Sequence, residues 1–336
     1  MLDRKRKMLR KILRTVGLGR LLLYLKHLML FNPKELYFIH FKFRRLLLKA
    51  RNLKPIPCDQ GELEIHMLLR NDDIYSAAWA IYSLIFFSRV KFRLVIHDDG
   101  TIKKKGEEFL GRLFPGYEFV SRTLADLRMN SFFSEKKLTG CKRLRDGHIF
   151  ALKLFDPFFF SKSKWIVVLD SDILFYAKPH ELLTLDESGV SGQVPNLYMY
   201  DPNPYYYCVP EDQIDEMAKV RVCRNFNPGI IRVRNGSVDL DRIERYLSHS
   251  QIWFDKMISY FSELTIWAME LSQGAHRALG KEYVLAAFDN GGSLTAGHFC
   301  GNPRIKTITY AKKLMEIQPM LLDRENNPEI APDFTF

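Results

Sequence analysis

Cysteine is sparse in this chain: five residues (Cys58, Cys141, Cys208, Cys223 and Cys300), an odd number, widely spaced and with no C-x-x-C pair. A disulfide framework or a zinc ribbon does not fit that pattern, and a reducing compartment is the simpler expectation. Long apolar runs are missing as well. Near the start, Leu21 to Phe31 is interrupted by Lys26 and His27, short of the roughly 18–20 residues a spanning helix needs. Phe31-Asn32-Pro33 offers no small-residue cleavage site, so no secretory signal is expected. There is no internal repeat and no low-complexity tract. A cytoplasmic, non-spanning chain is expected.

Acidic residues are nearly absent from residues 1–57, which hold 16 Lys or Arg against Asp3 and Glu35, a net +14. The remaining residues carry 34 basic and 37 acidic side chains, a net −3, so the overall +11 belongs to the N-terminal segment. A near-neutral body without a recognised reading module argues against nucleic acid as a partner. The basic segment has helical period: Leu9, Ile12, Leu13 and Val16 recur on one face of 4–14. After Asn32-Pro33, a second stretch from Glu35 to Arg51 interleaves Leu36, Ile39, Phe43, Leu46 and Leu47 with Lys42, Arg44, Arg45 and Lys49. Basic amphipathic helices of this kind suit an anionic membrane surface, giving a peripherally membrane-associated protein; the alternative is a hairpin packed on the body with a solvated basic face.

What the chain has in quantity is globular composition, 47% hydrophobic and 26% charged over 336 residues, and an alternation of strand and helix patterns. Strands are expected at 64–69, 92–96, 117–120 and 165–169. Helices are expected at 74–87, near 103–113, and at 148–155, the last stopping before Pro157. Trp165-Ile166-Val167-Val168-Leu169 is apolar on both faces, as a central buried strand should be. The expected fold is α/β, a mixed and mostly parallel sheet with flanking helices and its site at the carboxyl edge. The basic segment 1–57 precedes a body at 58–310, divided into halves 58–185 and 186–310, with a tail at 311–336.

Asp170-Ser171-Asp172 directly follows the apolar strand. Carboxylates two residues apart on extended backbone project to one side, and they repel each other unless a cation sits between them. Hard oxygen ligands suit Mg2+ or Mn2+, which can in turn hold a diphosphate. An apolar strand ending in Asp-x-Asp also opens haloacid-dehalogenase-type phosphatases, where Asp170 would be the nucleophile. Those enzymes place the motif near the start of the domain, whereas here it is mid-chain.

The stretch Trp165–Leu182 (WIVVLDSDILFYAKPHEL) resembles the metal-binding stretch of GT-A glycosyltransferases, and is most similar to glycosyltransferase family eight and related bacterial sugar transferases. Lys153, in Ala-Leu-Lys-Leu-Phe, matches a basic residue that approaches the donor. Phe226-Asn227-Pro228-Gly229 resembles the family's Asn-Ser-Gly segment, with Asn227 in place and Pro228 replacing a small polar residue. His298-Phe299-Cys300-Gly301-Asn302-Pro303-Arg304 resembles a segment whose His is a third metal ligand, whose glycine is Gly301 and whose Lys touches diphosphate. Arg304 holds the Lys position with Lys306 close behind. Glu263-Leu264-Thr265 resembles a segment near the acceptor, with Leu264 replacing Gln. These matches run in family order from about Glu64 to Lys306.

The resemblance implies a GT-A (Rossmann-like) fold, a metal held by Asp170, Asp172 and His298, and a UDP-sugar donor. It also implies donor contacts from Lys153, Asp170, Ser171, Asn227, Gly301 and Arg304 or Lys306. Strand-end residues Arg70, Asn71, Asp98 and Asp99 lie where nucleotide base and ribose bind in such sheets. Glu263, Asp289 and Asp212 are the carboxylates open to a catalytic role. Family eight implies retention of configuration. Tyr198, Tyr200, Tyr205, Tyr206 and Tyr207, then Trp253, Tyr260 and Trp267, are dense near the expected acceptor side; the last three, spaced by seven, read rather as the packed stripe of a helix, and the Tyr198–Tyr207 loop reads as a flap. A glycan or lipid-linked acceptor follows. A non-catalytic membrane-docking protein with a relic transferase body is the remaining rival.

Overall fold

The computed structural model describes residues 31–185, 194–203, 207–249, 252, 261–285 and 294–323. Most of the basic segment, Tyr205, Tyr206, Trp253, Tyr260 and Asp289 lie outside the described residues.

Among the described residues, a seven-stranded sheet runs β3-β2-β1-β4-β7-β6-β8 and a three-stranded sheet runs β5-β10-β9. The strands of the large sheet are β1 (Leu63–Leu69), β2 (Arg93–Asp98), β3 (Glu118–Val120), β4 (Trp165–Leu169), β6 (Asn196–Tyr200), β7 (Phe226–Arg234) and β8 (His276–Ala278). Those of the small sheet are β5 (Ile173–Phe175), β9 (Tyr283–Leu285) and β10 (Ala296–His298). Strands β3, β2, β1 and β4 are parallel neighbours, β7 is antiparallel to both β4 and β6, and β8 is parallel to β6. The sheet is therefore mixed and mostly parallel, as expected.

Strand β4 is buried at all five positions. Trp165, Val167 and Leu169 enter the core packed by helix Ile74–Ser88, while Ile166 and Val168 face helices Arg122–Glu135, Leu152–Phe160 and Ser262–Leu271. Period-two alternation between two apolar faces is why this run carries no polar residue. Helix Leu152–Phe160 continues past Pro157 rather than stopping before it. Phe155 and Phe160 sit in the core, and Asp156 is clamped by both Nε and Nη2 of Arg145, at 2.7 and 2.8 Å.

The expected boundaries at 57 and 310 do not divide the packing. Leu46, Ala50, Leu53 and Ile56 belong to the same core as β1, and residues 311–322, expected in a tail, continue helix Tyr310–Leu322 with Ala311, Leu314, Ile317 and Leu321 buried in that core. The amide of Gln318 donates to the carbonyl of Leu46, tying the two ends together. Accordingly, the apolar stripe of residues 36–47 is turned inward. Ile39 and Leu46 are buried, and Phe43 packs edge-on against Tyr310. The outward face carries Tyr37 and Phe41, stacked on each other, among exposed Lys34, His40, Lys42, Arg44 and Arg45.

One face of β1 and β2 is polar although buried. His66 and His97 share a hydrogen bond of 2.8 Å. Glu64 accepts from Ser161 Oγ and from the backbone N–H groups of Lys162 and Ser163. Burial depresses both imidazoles; Glu64 partly opposes this at His66, while His66 and Arg145 reinforce it at His97. A folded-state pKa below the unfolded 6.5 means the unfolded chain binds the proton first, so stability is lost as pH falls below 6.5. A histidine that stays neutral in the fold while its unfolded counterpart is charged costs about 1.4 kcal/mol per pH unit. Replacing His97 with Gln should remove one histidine's share of that slope. Urea midpoints of the native chain and the variant, compared from about pH 8 to pH 5, check this, and parallel slopes would contradict it.

Candidate functional site

Three chain segments converge at the carboxyl end of β4. Asp170 leaves β4 with its backbone N–H donated to the carbonyl of Gly229, which extends the β4–β7 ladder by one step. Asp172 stands just before β5. There His298 pairs with Ile173 across the antiparallel β5–β10 ladder, and the N–H of Phe299 donates to the Asp172 carbonyl. The small sheet thus carries an imidazole from the far end of the chain to the acidic pair.

The third segment is a bulge. Between adjacent residues Tyr198 and Met199 of β6, the pairing on β7 jumps from Ile231 to Asn227. The intervening residues include Pro228, which has no N–H to offer a ladder and is suited to a bulge. Gly229 is needed for space: a Cβ there would overlap the imidazole of His298.

His298 Nε2 lies 3.1 Å from Asp172 Oδ1 and 3.6 Å from Asp170 Oδ2. One ligand atom from each of the three residues can be chosen so that all lie within 4.8 Å of one another. Two carboxylates and one imidazole at this separation fit a hard divalent cation. The positive groups nearby are Lys153, whose Nζ is 2.9 Å from Asp170 Oδ1, and Lys306, 3.8 Å from Asp172 Oδ2. Burial alone would neutralise Lys153, but Asp170 and Glu263 outweigh it and raise its pKa. Burial likewise favours a neutral Asp172, yet His298 and Lys306 hold its carboxyl down at about 2. The imidazole is driven well upward by Cys300 and Asp172 against the effect of burial.

These groups line a cavity of about 500 Å3, a size suited to a small organic ligand. Of the residues expected at a site, Arg70, Asp99, Lys153, Asp170, Ser171, Asp172, Asn227, Glu263, His298, Gly301 and Lys306 are on its wall. Glu263 opens helix Ser262–Leu271 and is 3% exposed; burial pushes its carboxyl up to about 7, against the pull of Lys153, and its Oε1 meets no hydrogen-bond donor among the described residues.

Other expected residues are engaged elsewhere. Arg304 is not on the wall: its guanidinium forms two 3.2 Å contacts with the Glu35 carboxylate and lies 5.4 Å from the Phe31 ring centre. Of the two cations left open for the phosphate contact, Lys306 faces the cavity. Asp98 accepts from the N–H groups of Gly100, Thr101 and Ile102, and Asn71 Oδ1 accepts from Lys103 N–H. Both shape the loop and neither lines the cavity. Asp212 lies on helix Glu211–Ala218, away from the cavity wall. The stretch expected to form a flap begins as strand β6, with Tyr198 buried against Phe226, and Trp267 is a fully buried core residue.

Sequence reasoning missed Asp73, Phe150 and Cys300 on the wall. Asp73 is brought inward by the short helical turn Asn71–Asp73 and pairs with Arg70 at 3.1 Å. Its signal was the strand-end cluster Arg70-Asn71-Asp72-Asp73, from which only the first two residues were taken. Cys300 adjoins two residues of the His298–Arg304 segment and was readable by adjacency alone.

No family model and no curated protein sequence matches the chain. Solved structures similar to it are glycosyltransferases. The galactosyltransferase LgtC, in complex with donor and acceptor sugar analogues, is 11% identical with a TM-score of 0.46, covering 76% of this chain and 95% of that one. Mouse xyloside xylosyltransferase 1 is 13% identical with a TM-score of 0.44, covering 75% and 99%. The core-mannan synthase CmsA/Ktr4 from Aspergillus fumigatus, in its Mn/GDP form, is 7% identical with a TM-score of 0.43, covering 65% and 73%.

Gly229→Ala should displace the His298 ring, because the added methyl has no free space. We expect a stability loss of about 1–3 kcal/mol, as for other overpacked interiors, measured by urea unfolding. An unchanged midpoint would show that the ring moves aside freely.

Proposed function

We propose that the chain is a metal-dependent glycosyltransferase, moving a sugar from a nucleotide diphosphate sugar, a UDP-sugar by the resemblance of its motifs, to a glycan or lipid-linked acceptor. The observation that carries this reading is the convergence of Asp170, Asp172 and His298 on one wall of a cavity. Cleaving a glycosidic bond to a diphosphate leaves negative charge on the departing phosphate. A Mn2+ or Mg2+ ion bound by the three ligands would supply the neutralising charge.

The chain's own residues support the same chemistry. Lys306 faces the cavity beside Asp172 and is the cation available to a phosphate oxygen. Lys153 donates to Asp170 Oδ1 and orients that carboxylate. Glu263, whose carboxyl burial pushes up to about 7, is suited either to hold a sugar hydroxyl or to exchange a proton with the acceptor. Arg70, Asp73 and Asp99 form the wall farther along the strand ends, where base and ribose would lie. The three-ligand arrangement uses His298, which a phosphatase nucleophile at Asp170 would leave without a role. A cavity with this many ionised groups also speaks against a relic body.

Melting the protein with Mn2+ and a panel of nucleoside diphosphates tests the reading. UDP should raise the melting temperature only when metal is present, and Asp172→Ala should abolish that shift while leaving the metal-free melt close to native. A UDP shift that ignores metal, or survives in Asp172→Ala, would overturn the assignment.

Membrane association at the cytoplasmic face belongs to the same proposal. It rests on the charge of residues 1–57 and on the outward face bearing Tyr37, Phe41, Lys34, Lys42, Arg44 and Arg45. Such a surface would hold the enzyme beside a lipid-linked acceptor. Deleting residues 1–30 should sharply reduce co-sedimentation with anionic vesicles and spare the metal-dependent UDP shift. Equal sedimentation of the truncated chain would contradict the anchoring role.

A further inference from the structure

The motif resemblance assigns Asn227 to the donor, but its side-chain oxygen is already committed. Asn227 is 7% exposed, at the point where β7 leaves its ladder with β6. Two groups lie within hydrogen-bond distance of its Oδ1: the backbone N–H of Gly229 at 2.9 Å and Nδ1 of His298 at 2.9 Å. The Gly229 N–H can only donate, so the atom it meets is the amide oxygen and not the amide nitrogen. An amide oxygen only accepts. Nδ1 of His298 must therefore carry a hydrogen, and a neutral ring then presents its lone pair at Nε2, the atom facing Asp172 and Asp170.

We propose that Asn227 is a positioning residue for the metal site, holding His298 in the one neutral tautomer that can ligate a cation beside the two carboxylates. This rests on the metal-dependent reading above. Its physical content is a competition between two tautomers. With hydrogen on Nε2, the ring would donate to Asp172 Oδ1 across the existing 3.1 Å separation, and the cluster would satisfy itself without a cation. In a neutral ring Asn227 disfavours that state, because it would set a lone pair on Nδ1 against the lone pairs of its oxygen; the hydrogen a cation has to displace is then the one on Nε2, with Nδ1–H kept on Asn227. Gly229 completes the device: its N–H orients the amide, and its missing side chain leaves room for the ring.

The test is Mn2+ titration of the full chain without nucleotide or acceptor, read as loss of the free-ion electron paramagnetic resonance signal. Asn227→Leu and Asn227→Ala should weaken Mn2+ binding about tenfold to a hundredfold, the usual cost of losing a group that orients a ligand. Asn227→Asp keeps an acceptor for both hydrogens and should bind at least as tightly as the native chain. Native-like melting of the variants separates this from a folding defect, and Asn227→Ala covers the case in which the leucine does not fold. Undiminished binding in Asn227→Ala, or a loss in Asn227→Asp as large as in Asn227→Ala, would overturn the positioning role alone. A native chain that takes up no Mn2+ would overturn the metal reading and this proposal together.

Discussion

Like charges forced together at the end of a buried strand are the constraint on which the site depends. Asp170 and Asp172 leave the most apolar strand of the sheet on one side, and the chain re-enters the core at once through β5. Each side chain is only 25% exposed, so solvent screens the repulsion of the pair in part. The surroundings answer with positive charge from three directions: Lys153 from the helix that packs beneath β4, Lys306 from the segment after β10, and the imidazole of His298 between them. The cation proposed to be shared by the two acids would complete the same balance.

The large sheet and the small one have separate parts in that balance. The large sheet positions Asp170 through the β4–β7 ladder and puts the Asn227–Gly229 bulge opposite it. The small sheet sets Asp172 against His298 by backbone pairing, so their separation is a matter of register. Glu263 stands apart from the three proposed metal ligands. It is a buried carboxyl held between Lys153, which favours its charge, and Asp170, which opposes it. A group so balanced changes protonation readily on ligand binding, a common property of catalytic positions.

Local features of the fold were legible because they are written in short patterns. The all-apolar run of β4, the helix after β1 and the acidic pair are each contained in fewer than about twenty residues and follow from periodicity. His298 was legible only through the ordered series of motifs, since nothing in its neighbourhood predicts a partner so far back in the chain. Long-range pairings were not legible. Arg304 occupies the expected cation position, yet Glu35 in the N-terminal helical segment takes it, and Lys306 is the one of the two that faces the cavity. Asn227 is legible as a site residue, but its contact with His298 is not, because the bulge that aims it there depends on a register shift whose local signal, Pro228, does not name the partner. The apolar stripe of residues 36–47 was correctly seen as amphipathic, but amphipathicity does not say whether lipid or protein covers it. Here helix Tyr310–Leu322 does, and that helix had been read as tail.

The most direct measurement is a crystal soaked in Mn2+ and examined by anomalous diffraction. The account predicts a peak within bonding distance of Asp170, Asp172 and Nε2 of His298, with the Nδ1 edge of the ring still on Asn227. A peak bound without His298, or no peak between the two carboxylates, would contradict it.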